Sequence, residues 1–228
     1  MGSTSKKIWS MNTYNKGRSD HMLERISVRE RRDLLVAWIA ISIAFSLIYI
    51  RYGATPELFL LFLGISLVTV GVGFILHELA HKFTAMKYGF WAEFRKNNLM
   101  LVVAVALAAL VGVVFAAPGA TMIYAPAISR EQNGKISAAG PLTNILLCIP
   151  FAAILMLGTV TDIRLLGLNV LYVLGMIGLQ VNAMIAAFNM LPVSVLDGKK
   201  VLAWNPIVFI VLIAASFGIL LATFYAPI

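Results

Sequence analysis

The sequence predicts an all-α polytopic membrane protein with five to six transmembrane helices. A re-entrant or strand-hairpin element is expected between the helix holding His77 and the helix holding Gly140. Three observations carry this. Of the 228 residues, 61% are hydrophobic and 12% charged, with a mean hydropathy of +0.90, whereas about a quarter of a soluble domain is charged. Six apolar runs reach the roughly 17–25 residues that a spanning helix needs. The Lys and Arg residues sit in short segments flanking those runs, so the formal charge of +8 reads as membrane orientation and no nucleic-acid partner is expected.

Residues 1–33 are polar and are expected to form a cytoplasmic tail. They precede any apolar stretch and do not read as a cleavable signal peptide. Lys6 stands where a myristoylation signal after Gly2 needs Ser or Thr. Residues 34–228 are expected to form a single membrane domain. Its runs are Leu34–Ile50, Leu58–Leu79, Leu99–Ala117, Ile136–Val160, Leu165–Leu191 and Pro206–Ala226. If all six cross, the segment after His81 and the segment with Asp197 lie on opposite sides. If Leu99–Ala117 dips in and returns, Arg51 and Arg164 alone among the Lys and Arg residues fall outside, and His77, His81 and Asp197 share one side. The positive-inside rule favours that second arrangement.

Within Phe115–Tyr124, Pro118-Gly119 is a turn signal and Thr121–Tyr124 has strand propensity, which suggests a short hairpin near the membrane. An unpaired edge there could take an extended peptide by strand addition, with loop packing an equal reading. Gly71, Gly73, Gly167, Gly175 and Gly178 read as points of close helix approach. Cys148 has no cysteine partner, which leaves it a small core residue.

The chemistry concentrates in His77-Glu78-Leu79-Ala80-His81, at the end of an apolar run where ionisable residues are costly and mark function. On a helix, His77 and His81 are i and i+4 and project from one face, the spacing of two ligands to one zinc, with Glu78 beside them as a candidate general base. A catalytic zinc takes three protein ligands. His21 belongs to the tail, so Asp197, in Asn189-Met-Leu-Pro192-Val-Ser-Val-Leu196-Asp197-Gly198, is the stronger third candidate. Pro192 interrupts the helix and Gly198 permits a tight turn after the acid. Asn182 and Asn189 are seven apart on one helix face; with Asn144 they could line a polar path to the site, or bond between helices.

Together, the His77–His81 pentapeptide, Ala138-Ala139-Gly140-Pro141-Leu142-Thr143-Asn144, and Asn189-x-x-Pro192 leading to Leu196-Asp197-Gly198 resemble the site-2 protease family of intramembrane zinc metalloproteases, in its short archaeal and bacterial form. The resemblance spans about Leu58 to Lys200. It implies His77, His81 and Asp197 as ligands of one catalytic Zn2+, Glu78 as the catalytic carboxylate, and Asn189 as a catalytic residue that positions substrate or the oxyanion. Substrate contacts are expected from Asn144, Thr121 and Ile123. The implied reaction is hydrolysis of peptide bonds of single-span membrane proteins within or near the bilayer, with Glu78 activating zinc-bound water. The implied setting is a multi-pass protein of the plasma membrane with a cytoplasmic N-terminus. Two departures stand out: Lys199 follows Gly198 where the family often has a second glycine, and Leu99–Val114 is an extra apolar segment. No room is seen for a PDZ or CBS domain. The competing readings are a membrane metal-ion transporter, which would need several exchangeable sites, and a catalytically silent relative that binds membrane helices.

Overall fold

The structure is a computed structural model that describes residues 25–50, 55–112, 114 and 118–225. It is an all-α membrane protein whose strands, among the described residues, are short and form two separate hairpin ribbons. Helix α1 (Val28–Ile50) begins inside the segment expected as tail, and carries the Leu34–Ile50 run. Next, α2 (Pro56–Lys87) opens with Thr55 accepting from the Leu58 N–H and Pro56 at its first turn, a start at which the missing N–H costs nothing. Among the described residues, four helices are long and apolar enough to cross a membrane: α2, α4 (Arg130–Val160), α5 (Val170–Asn189) and α7 (Pro206–Tyr225). The remaining helices are α3 (Asn98–Leu110) and α6 (Asp197–Trp204).

The run Leu99–Ala117 does not stay helical. Its helix has 13 residues and ends at Leu110, a rise of about 20 Å against a hydrocarbon thickness of about 30 Å. It is also an excursion between two paired strands. Strand β1 (Trp91–Lys96) pairs antiparallel with β2 (Gly119–Tyr124), and Lys96, where the chain leaves, lies opposite Gly119, where it comes back. The Asn97 N–H donates to the Pro118 carbonyl and closes the gap. The hairpin expected within Phe115–Tyr124 is therefore half of a wider ribbon. Residues 115–117 lie outside the described residues.

The Leu165–Leu191 run differs as well. Its first residues form a second hairpin, β3 (Arg164–Leu165) with β4 (Leu168–Asn169), so α5 starts only at Val170. Gly167, expected as a helix contact, instead sits in this turn at φ +82° beside Leu166 at +53°, where the missing Cβ removes the strain. Gly175 and Gly178 do act as expected. A Cβ on either would strike α4, at Leu155 and Phe151.

Within α2, Leu67–Gly71 forms one π turn just before the helix that bears His77. Such turns free a carbonyl from the regular ladder, and here the Trp38 indole N–H donates to Leu67 O at 2.9 Å. Gly71 has to be bare, because a Cβ there would occupy the same indole. The main core joins α1, α2, α3, α5 and β1 through residues such as Ala37, Phe74, Leu101, Val181 and Phe94. A smaller one joins α4, α6 and α7 through Ala138, Val201 and Leu212.

A buried ion pair ties α1 to α2. Lys82 Nζ bonds Glu30 Oε2, both side chains being almost fully buried. The other oxygen, Glu30 Oε1, accepts from the Phe94 N–H at 2.9 Å, so one carboxylate clamps α1, α2 and β1 together.

Candidate metal centre

His77 and His81, one turn apart on α2, are both buried, as is Asp197 at the first position of α6. Their ligand atoms form a small triangle. Nε2 to Nε2 is 3.0 Å, and Asp197 Oδ2 is 3.6 Å from His77 Nε2 and 3.1 Å from His81 Nε2. A tetrahedral zinc with bonds of about 2.0–2.1 Å needs ligand atoms about 3.3 Å apart. All three edges lie within a few tenths of an ångström of that.

The hydrogen bonds behind the imidazoles settle which nitrogens are free. The Ile136 carbonyl can only accept, so it takes the Nδ1–H of His81 at 2.8 Å. Asn144 Nδ2 donates to Gly73 O at 3.1 Å and to Asn182 Oδ1 at 2.9 Å, which fixes the amide so that Oδ1 faces His77 Nδ1 at 2.6 Å. Asn182 is fixed in turn by Nδ2 donating to Gly178 O at 2.8 Å. Both histidines thus carry their proton on Nδ1, and two Nε2 lone pairs converge with a carboxylate oxygen on one point. Three acceptors facing one another call for a cation, and a hydrogen bond to the far nitrogen of each ring orients a histidine toward it.

The space for that cation is made by Gly140 on α4. A Cβ there would run into His81 Nε2 and come within 2.6 Å of His77 Nε2. Gly73 plays a matching part, since a Cβ on it would lie 2.5 Å from Asn182 Oδ1 and break the amide chain. Gly198 follows Asp197 because a Cβ would strike the Met190 carbonyl at the end of α5. That close approach, and not a positive φ, is its reason. The second oxygen of Asp197, Oδ1, lies 3.5 Å from Lys200 Nζ.

Glu78 is buried beside this triangle, and Thr121 of β2 donates its hydroxyl to Glu78 Oε2 at 2.8 Å, with the Glu78 carbonyl at 3.1 Å. Asn189 ends α5, bonds the Ile185 carbonyl at 3.0 Å, and lines a cavity together with His77 and Glu78. The helix does not persist from Asn189 to Asp197; a turn of seven residues intervenes, with Ser194 at φ +49°. The structure places Asn144 behind His77 with no exposed surface, its amide facing His77 Nδ1. The Ile123 side chain packs against Ala85, Ala92 and Ile136, which leaves its backbone edge as the part a partner could meet. Cys148 is buried against the Asn144 carbonyl, as a core residue. His21 lies outside the described residues. Among the described residues, His77, His81 and Asp197 are the cluster that could hold a metal ion.

Comparison with known proteins agrees with this chemistry. The chain is 40% identical over 185 residues, 81% of its length and 89% of the relative's, to a Methanocaldococcus jannaschii protein provisionally named a zinc metalloprotease. It is also 27% identical over 142 residues, 62% of its own length, to a protein of the same organism named a zinc metalloprotease, of which it spans about a third (34%). No family model matches the chain, and no solved structure matches it.

Proposed function

Because the chain belongs to the zinc metalloprotease family of its archaeal relative, we propose that it is an intramembrane-cleaving member of the site-2 protease type, hydrolysing peptide bonds of single-span membrane proteins. The observation that supports this most is the triangle of His77, His81 and Asp197 with Glu78 buried beside it, on a helix apolar enough to span. Zinc bound there supplies Lewis-acid polarisation of a carbonyl and lowers the pKa of water toward about 7.

The chain's own residues do the rest. Asn144 and the Ile136 carbonyl hold the two imidazoles in the tautomer that presents Nε2. Glu78, one residue from His77 and not part of the triangle, is the base that takes a proton from water and returns it to the leaving amine. Thr121 holds its carboxylate from the β2 side. Asn189 stands at the cavity wall to orient the scissile carbonyl. A substrate helix has to unwind before its carbonyls can react, and β2, which among the described residues pairs on one side only, offers an edge for the extended segment. In this reading one zinc serves each chain, α3 enters and leaves by the same face, the N-terminus is cytoplasmic, and the protein resides in the plasma membrane.

The test compares wild type with Glu78→Gln in one detergent preparation, measuring zinc content and cleavage of a transmembrane reporter. Equal zinc with cleavage by wild type alone is expected. Cleavage by both would remove Glu78 from the mechanism, and zinc transport into vesicles by both would replace the protease with a carrier.

A further inference from the structure

One turn and two turns before His77 on the same face of α2 lie Phe74 and Val70, and these line a cavity of about 360 Å3 that also reaches His77 and Glu78. Phe45 of α1, Met184 and Phe188 of α5, and Ala104 of α3 complete its sides. Among its lining residues the polar ones are His77, Glu78 and Asn189, so the chemistry sits in one part and the remainder is apolar. The volume lies near the lower end of the ~300–1,000 Å3 typical of ligand pockets.

An apolar cavity beside a hydrolytic site has a defined chemical preference. Burying an aliphatic or aromatic side chain there removes apolar surface from water. A carboxylate or amide entering the same space would lose its water without gaining partners. Gly119, which begins β2, is also part of the lining, two residues before the Thr121 that holds Glu78. A segment lying along β2 would therefore pass the mouth of this cavity as it passes the base. The extra segment of the sequence is built into it: α3 turns Leu101, Ala104 and Ala108 inward, and Ala104, 2% exposed, is the small residue that leaves the space open.

We propose that this cavity is a subsite for one large apolar side chain of the bound substrate segment, and that α3 sets its depth through Ala104. The proposal rests on the protease reading and names what that site selects. A methylene gained or lost in an apolar pocket changes selection by about 10–200-fold. Effects of about tenfold or more are therefore expected.

The experiment uses reporters that differ at single positions within three residues of the cleaved bond, carrying Ala, Leu, Phe or Asp. Wild type is expected to favour Leu or Phe over Asp by at least about tenfold in kcat/KM at one position. Ala104→Phe, which fills the cavity from α3, and Met184→Trp, which fills it from α5, are expected to erase that preference while other positions keep theirs. Binding of the same peptides to zinc-loaded Glu78→Gln reads the preference without turnover. Preference in binding with no cleavage by wild type would sink the protease reading alone. Equal cutting and binding of all side chains would overturn the subsite alone, as would a preference that survives both filling variants.

Discussion

His77 Nδ1 and Asn144 Oδ1 meet at 2.6 Å across 67 positions of chain, inside a row of buried amides that ends at the Gly178 carbonyl. The row joins α2, α4 and α5 and leaves no freedom in which nitrogen of His77 bears the proton. Removing such an outer partner typically costs 10–100-fold in metal affinity or activity.

Asn144→Leu is therefore expected to weaken zinc binding by roughly 10–100-fold. Asn144→Asp, which keeps an acceptor toward His77, is expected to bind more tightly than the leucine variant. Competition with a chromophoric chelator measures both. Equal affinity in wild type and Asn144→Leu would show that His77 needs no support.

Gly140→Ala tests the room for the cation. Its methyl would lie against both Nε2 atoms, so the variant is expected to fold, retain His77, His81, Asp197 and Glu78, and hold no zinc. Wild type stripped by chelation should resemble it and recover when zinc is restored, whereas Gly140→Ala should not. Zinc content by elemental analysis decides.

That His77 and His81 converge was legible in the sequence because their relation is local: i and i+4 on a helix share a face. Asp197 was legible from the turn signals around it. What surrounds them was not. Ile136 contributes only a carbonyl, which no residue type announces. Gly140 contributes the absence of a side chain, and its neighbours lie on another helix. Asn144 was open to two readings, lining a polar path or bonding between helices, because a buried amide in an apolar run looks the same either way until its partners are known; here it bonds His77, Gly73 and Asn182 on neighbouring helices. The fold shows the same division. Apolar length identified α2, α4, α5 and α7, but could not say that Leu99–Ala117 would stop at Leu110, since that depends on β1 and β2 pairing across it. The strand Trp91–Lys96 was missed because six residues beside a helix end carry little periodicity of their own.

If Glu78 is the base, Thr121 is expected to bear on turnover more than on folding, because its hydroxyl meets Glu78 Oε2 at 2.8 Å while its neighbours hold the ribbon. Thr121→Val is expected to lower kcat by about tenfold to a hundredfold, a part of the roughly 10²–10⁴-fold that a general base contributes as a whole, with KM and zinc content little changed. Thr121→Ser should restore most of it. A rise in KM alone, or failure of serine to rescue, would assign Thr121 to substrate contact.

Breaking the Glu30–Lys82 pair should cost stability. Either Glu30→Gln or Lys82→Met leaves a buried charge without its partner, a loss of about 3–5 kcal/mol. The double variant is expected to recover a large part of that. Thermal unfolding in detergent reads all three, and additive losses in the double variant would mean that the two residues act separately.

The same pair has a consequence for how the chain is made. Glu30 leaves the ribosome 52 residues before Lys82, so α1 enters its surroundings with a carboxylate whose counter-charge has yet to be synthesised. The first helix cannot settle into its final place until the second has arrived. When Lys82 docks, it brings with it His81, the residue immediately before. A nascent chain that inserts α2 wrongly keeps Glu30 unmatched and bears the cost of a buried charge without its partner.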